Sequence, residues 1–192
     1  MGSSSIQLVP TVKSLGVLFN ENLTWNDHVD LVANKLSKAV GILCRLRYFM
    51  PKHIKQMLYN ALFSSVVDYC LLVWGTTSFT NINRLHRLQK KAVRNIVNAP
   101  RLEHSAPICE ELGIIPLPQL YKTLLRKRYR ASVIKNNCFM LQLSRLQCKH
   151  SMYSTRTSLK WLLPRTRTNY GCQMLRFTLP HLLNDESELT NN

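Results

Sequence analysis

Residues 80–97, TNINRLHRLQKKAVRNIV, decide the class of fold. Ile82, Leu85, Leu88, Ala92 and Ile96 recur at helical spacing and form one apolar stripe. Arg84, Arg87, Lys90, Lys91 and Arg94 fall largely off that stripe. The segment therefore reads as an amphipathic helix with a cationic outer face, capped by Thr80 and ended before Pro100. Upstream, Val29, Val32, Leu36, Ala39 or Val40, Leu43 and Leu46 repeat the period after a capping Thr24 or Asn26, and Pro51 closes that helix. A second helix is predicted from Pro51 to Trp74-Gly75 with Ile54, Met57, Leu58, Ala61, Leu62, Val66 and Tyr69 inward. Downstream, Ser105-Ala106-Pro107 opens a short helix ended by Gly113. Pro116-Leu117-Pro118 opens a long one reaching about Lys135, buried through Leu120, Leu124 and either Tyr121 or Tyr129. Val12 to Phe19 is the one strand candidate, and Gly16 inside it suggests a bulge or a close backbone approach. The expected class is mainly α: a short N-terminal strand, a helical bundle, then a helical and partly ordered C-terminal region.

The charge on these helices is one-sided. The 192 residues hold 26 Lys and Arg against 10 Asp and Glu, a formal net charge of +16. Twelve basic residues and one acid, Asp68, lie between Leu31 and Leu102, and thirteen with no acid between Leu112 and Asn184. A merely solubilising surface mixes both signs. Tracts this long without an acid point to a polyanion, with nucleic acid the default partner. Arg126-Lys127-Arg128-Tyr129-Arg130 is the densest basic run. No apolar stretch has the length of a membrane span, so no membrane is expected as a partner.

Catalytic patterns are missing. The four aspartates, Asp27, Asp30, Asp68 and Asp185, include no adjacent pair. Two-metal phosphoryl transfer needs carboxylates that hold cations about 4 Å apart. Asp27 and Asp30 share a helix face, where dipole-compatible acids of a first turn are the simpler account. No Gly-rich phosphate loop, HExxH or GxSxG occurs. Six cysteines contain no CxxC, and Cys148 with His150 lacks a second pair to complete a zinc site. No catalytic residue, metal ligand or cofactor is assigned. Without a secretory leader the thiols read as reduced, and the protein as intracellular, nuclear or cytoplasmic. Trp25 and Trp74, among apolar neighbours, read as core rather than stacking platforms.

The order of short motifs resembles the reverse transcriptases of non-LTR (LINE-type) retrotransposons. Val12-Lys13-Ser14-Leu15-Gly16-Val17-Leu18-Phe19 is similar to their K-x-LGV strand, and Leu23-Thr24-Trp25-Asn26-Asp27-His28 to their LTW-x-x-H. Leu58-Tyr59-Asn60-Ala61-Leu62, Asp68-Tyr69-Cys70 with Val73-Trp74-Gly75, and Leu88-Gln89-Lys90-Lys91-Ala92-Val93-Arg94 follow in the family's order. So do Leu112-Gly113-Ile114-Ile115-Pro116-Leu117 and Arg167-Thr168-Asn169-Tyr170-Gly171. The resemblance covers about residues 12–180.

It implies a flexible N-terminus at 1–11, a palm–thumb junction strand at 12–22 and a thumb-like bundle at 23–100. A helical connector at 101–136 and a basic, partly ordered region at 137–192 complete it. Leu15, Gly16 and Val17 would be primer-grip-like. Fingers and palm, with the catalytic aspartates and their Mg2+, would lie N-terminal to Val12, so the chain is expected to be a detached C-terminal piece, inactive alone. A thumb grips the backbone of the template–primer duplex, an RNA–DNA hybrid near A-form, where phosphate contacts dominate. Arg84, Arg87, Lys90, Lys91 and Arg94 are the leading candidate contacts, and Arg126, Lys127, Arg128 and Arg130 the second group. RNA, DNA and a palm-containing reverse transcriptase chain are the implied partners. The alternative is a helical basic interaction protein, a co-opted or relic retroelement fragment that binds an acidic protein.

Overall fold

The computed structural model of the chain describes residues 9–135, 142–149 and 160–190. His150, and with it the Cys148–His150 pair, lies outside the described residues, as do residues 1–8 of the expected flexible N-terminus. The protein is mainly helical, with a short two-stranded antiparallel sheet ahead of the helices. Its contacts divide it into two units, Met1–Tyr121 and Lys122–Asn192.

The predicted single strand 12–19 is a hairpin instead. Strand β1 (Thr11–Ser14) pairs with β2 (Val17–Asn20) in a register that sets Ser14 opposite Val17. Leu15 (φ 46°) and Gly16 (φ 80°) form the two-residue connection, and positive φ at both is what a tight hairpin requires. Gly16 accordingly marks a turn, not a bulge. The Tyr69 hydroxyl donates to the Leu15 carbonyl at 2.5 Å and fastens this tip to the helices.

Helix α1 (Asn26–Arg45) follows a left-handed residue, Trp25, and no side chain caps it. The expected cap, Thr24, is engaged with Asn20, which accepts from the Thr24 N–H at 2.9 Å. Val29, Val32, Ala33, Leu36, Ala39 and Leu43 are buried along one stripe, close to the expected one. His28 joins them. Its Nδ1 accepts from the Leu18 N–H at 3.4 Å, and its ring meets Trp74 edge-on at 5.6 Å.

Burial, reinforced by the nearby Lys35 charge, lowers the His28 pKa below its ordinary 6.5. The unfolded chain therefore takes up its proton first as pH falls. The stability His28 contributes is complete above pH 6.5 and is lost as pH drops through that value towards the lower folded pKa. The urea midpoint should fall between pH 7.5 and 5.5, and His28→Gln should flatten part of that fall. His86, also lowered by burial, supplies a slope of the same sign. A midpoint that rises over this interval would contradict the assignment.

The segment predicted as one helix from Pro51 to Trp74 is four pieces. Helix α2 (Lys52–Tyr59) runs into a π-helical turn (Asn60–Ser64) and then α3 (Ser65–Asp68). Tyr69 and the left-handed Cys70 (φ 52°) break the chain before α4 (Leu71–Trp74). The buried face is also one position away from the expected one. Lys55, Tyr59, Phe63, Val67 and Leu71 are buried, whereas Met57 and Tyr69 are 65% and 52% exposed. A four-residue repeat drifts by about 40° per step on an α-helix of 3.6 residues per turn. The wider π turn absorbs that drift and keeps the repeat on one face.

Helix α5 (Phe79–Val97) is capped by Ser78, whose hydroxyl accepts from the Asn81 N–H at 3.4 Å, rather than by Thr80. It buries Leu85, Gln89, Ala92, Val93 and Ile96. Leu88, expected inside, is only half-buried, and Gln89 takes that place. Helix α6 (Ser105–Glu111) ends at Gly113 (φ 64°), and α7 spans Leu117–Ile134. On α7 the fully buried positions are Leu117 and Leu125, while Leu120, Tyr121, Leu124 and Tyr129 are half-buried.

In the second unit, Cys148 bridges Trp161 in antiparallel fashion, and helices α8 (Asn169–Gln173) and α9 (Leu175–Thr190) follow. The Asn184 side chain pairs with both backbone groups of Trp161 at 3.0 Å. Leu179, Leu182 and Asn184 are buried. The sequence leads to a helical, partly ordered C-terminal region without bounding a helix in it, because Pro180 and scattered basic residues obscure the period. Pro180 nonetheless lies inside α9.

Candidate nucleic-acid interface

Helices α1 and α5 lie side by side and run in the same direction. Near their starts Arg84 forms an ion pair with Asp30. Beyond their ends the Arg47 Nη2 donates to the Ala99 carbonyl at 2.5 Å. Small residues along this seam leave an open groove of about 440 Å³. Val40, Gly41 and Leu88 line its apolar part, and a β-carbon at Gly41 would meet nothing within 4 Å. Arg47, Lys91, Arg94 and Arg101 also line it, and among the described residues no carboxylate does.

The five cations predicted on α5 therefore have distinct roles. Arg84 has its charge met by Asp30. Arg94 is half-buried, and its Nε donates to the Glu103 carbonyl at 2.7 Å, which leaves its other donors for a ligand. Arg87 and Lys91 are exposed, and Lys90 is half-buried. Lys91 and Arg94 are brought together with Arg47 and Arg101, which sequence patterning does not single out. Nothing in hydrophobic periodicity marks those two, because they sit in the segments beyond the helix ends.

Arg47 is held from two sides. Lys55 is almost fully buried, and its Nζ donates to the Arg47 carbonyl at 2.8 Å and to Asn98 Oδ1 at 2.7 Å. Burial lowers the Lys55 pKa, and the Arg47 charge lowers it further. Asn98 is itself left-handed (φ 60°) and terminates α5. The ends of α1 and α5 are thus tied through one ammonium group.

The second predicted group is spread around α7. Lys127, Arg128 and Arg130 are exposed and Arg126 is half-buried. Successive residues turn by about 100°, so Arg126 and Arg130 share a side while Arg128 points away from it. One ligand strand cannot meet all four. Of the hairpin residues, Leu15 is exposed at the tip and Val17 is buried. Leu15 and Gly16 border a pocket of about 400 Å³ with His28, Lys35 and Tyr69. Trp25 and Trp74 are both buried, as core residues should be.

Among the described residues no group of three or more His, Cys, Asp or Glu is placed to hold a metal ion, and no helix is long and apolar enough to cross a membrane. The α1–α5 seam is suited to holding an anionic chain by charge, with a low-dielectric wall that strengthens each contact. Comparison of the chain with protein-family models, with curated proteins and with solved structures finds no match.

Proposed function

We propose that the chain grips the sugar–phosphate backbone of a nucleic-acid duplex, as the thumb of a non-LTR retrotransposon reverse transcriptase grips its template–primer. The carrying observation is the α1–α5 seam, where four cations line one groove and no carboxylate is among its described lining residues. Backbone contacts of this kind fix position and carry little sequence information. The ordered motifs that resemble the family support the same reading. Polymerisation itself requires paired carboxylates, and no two of the four aspartates are adjacent. The reading is therefore of a binding portion, inactive by itself, with any Mg2+ held by a palm.

Fluorescence anisotropy with blunt RNA–DNA duplexes of unrelated sequence tests this. Affinity should be alike across sequences and fall steeply with salt. Neutralising about four phosphates gives a log–log slope of roughly −2.8 to −3.6. Lys91→Ala and Arg101→Ala should each make that slope shallower by about 0.7 to 0.9. A chain that binds no duplex at low salt, or binds with a flat salt dependence, would overturn the proposal.

A further inference from the structure

Arg47 is more constrained than a surface arginine that merely adds charge. Its carbonyl is fixed by buried Lys55, and its Nη2 by the Ala99 carbonyl. Among the described residues its Nε is buried and has no hydrogen-bond partner. The Arg47 side chain lines a groove that also holds Lys91, Arg94 and Arg101, and four cations on one groove call for an anionic ligand. The guanidinium lies 5.3 Å from the centre of the Tyr48 ring. Tyr48 is 79% exposed and its neighbour Phe49 84%, although both are large and apolar enough to be buried elsewhere.

Cations with an adjacent open aromatic face are the elements that bind single-stranded nucleic acid: backbone charge is met by Arg and Lys, and a base stacks on the ring. A helical acidic peptide would use the charges and the groove but would leave the exposed rings without a role. A duplex in which every base is stacked would likewise leave them unused. We infer that the groove between α1 and α5 seats a phosphate of an unpaired strand on Arg47, with the neighbouring base against Tyr48. The site thus takes the junction between duplex and single strand, and the inference rests on the duplex-binding reading above. Lys55 is a positioning residue for it, because it holds the backbone of Arg47 without reaching the ligand.

The test compares a blunt RNA–DNA duplex with the same duplex carrying a five-nucleotide overhang, at one salt concentration. The overhang should raise affinity about tenfold, the order expected for one stacked base and one further phosphate. Tyr48→Ala should abolish that increment while leaving blunt-duplex affinity within about twofold, and Tyr48→Phe, which keeps the ring, should retain it. Both substitutions change an exposed side chain, so both should retain the wild-type melting profile. Equal affinity for blunt and overhanging duplexes would overturn the inference and leave the duplex reading standing. So would an increment that survives Tyr48→Ala, which is also the result expected if the groove serves an acidic peptide. Loss of all binding by the wild-type chain would overturn both.

Discussion

Trp74→Ala is expected to lower the unfolding free energy of the first unit by about 3–5 kcal/mol, the range for removing a large buried aromatic. Trp74 is fully buried. Its Nε1 donates to the Tyr69 carbonyl at 2.9 Å, across the break between α3 and α4. Its ring also carries the edge of His28. Removing the indole opens a cavity, frees the Tyr69 carbonyl and removes the His28 contact together. The effect should reach the hairpin, because Tyr69 and His28 both hold it. Total stabilities are about 5–15 kcal/mol, so this one change uses much of the margin. Urea unfolding followed by circular dichroism measures it, with Trp74→Phe as the partner variant. Phe keeps most of the ring and loses the donor, and should show a smaller loss. A loss below about 1 kcal/mol for Trp74→Ala would mean that the indole is not the anchor described.

The same side chains explain what was legible in the sequence. Helix identity was readable wherever the apolar period was α-helical, as on α1 and α5. On residues 52–74 the helix was readable but its buried face and its break at Tyr69-Cys70 were not, because the buried set repeats every four residues and includes a lysine. A period of four with a polar member does not resemble an apolar stripe, and the π turn that accommodates it leaves no compositional mark. The hairpin was read as one strand because Leu15 is apolar and looks like a strand residue. Only the positive φ of Leu15 and Gly16 reveals the turn.

The candidate site was half legible. The charge on α5 was plain in the sequence. Its grouping with Arg47 and Arg101 was not, since that depends on α1 running beside α5 in the same direction. The motifs that suggested a family supply only Lys91 and Arg94 of the groove's four cations. They sit largely at two packing centres. One joins Leu15, Leu18, His28, Tyr69 and Trp74. The other joins Tyr59, Gln89, Ile115 and Leu117. Short sequence motifs of this kind record how helices are held at fixed angles. On the function proposed above, their link to nucleic acid runs mainly through the seam that this packing creates.

The second centre gives the other large expected effect. Gln89 is buried on α5, with its amide fully occupied. Its Oε1 accepts from the Leu117 N–H at 2.8 Å, and its Nε2 donates to the Ile115 carbonyl at 2.9 Å and the Tyr59 hydroxyl at 3.2 Å. One side chain thus fixes α5, α2 and the entry to α7. Gln89→Leu preserves approximate volume and leaves those groups without a partner. At about 1–3 kcal/mol for each buried group left unsatisfied, a loss of about 3 kcal/mol or more follows. Gln89→Glu separates hydrogen bonding from shape. An ionised carboxylate can still accept from Leu117 but cannot donate to Ile115, and burial opposes its charge. Protonation restores a donor. The Gln89→Glu deficit relative to wild type should therefore be largest near neutral pH and shrink as the solution is acidified through the raised carboxyl pKa. Gln89→Leu should show no comparable recovery. Parallel urea titrations at pH 7 and pH 5 distinguish the two, and equal deficits for Gln89→Glu at both values would show that the amide is filling space rather than bridging three elements.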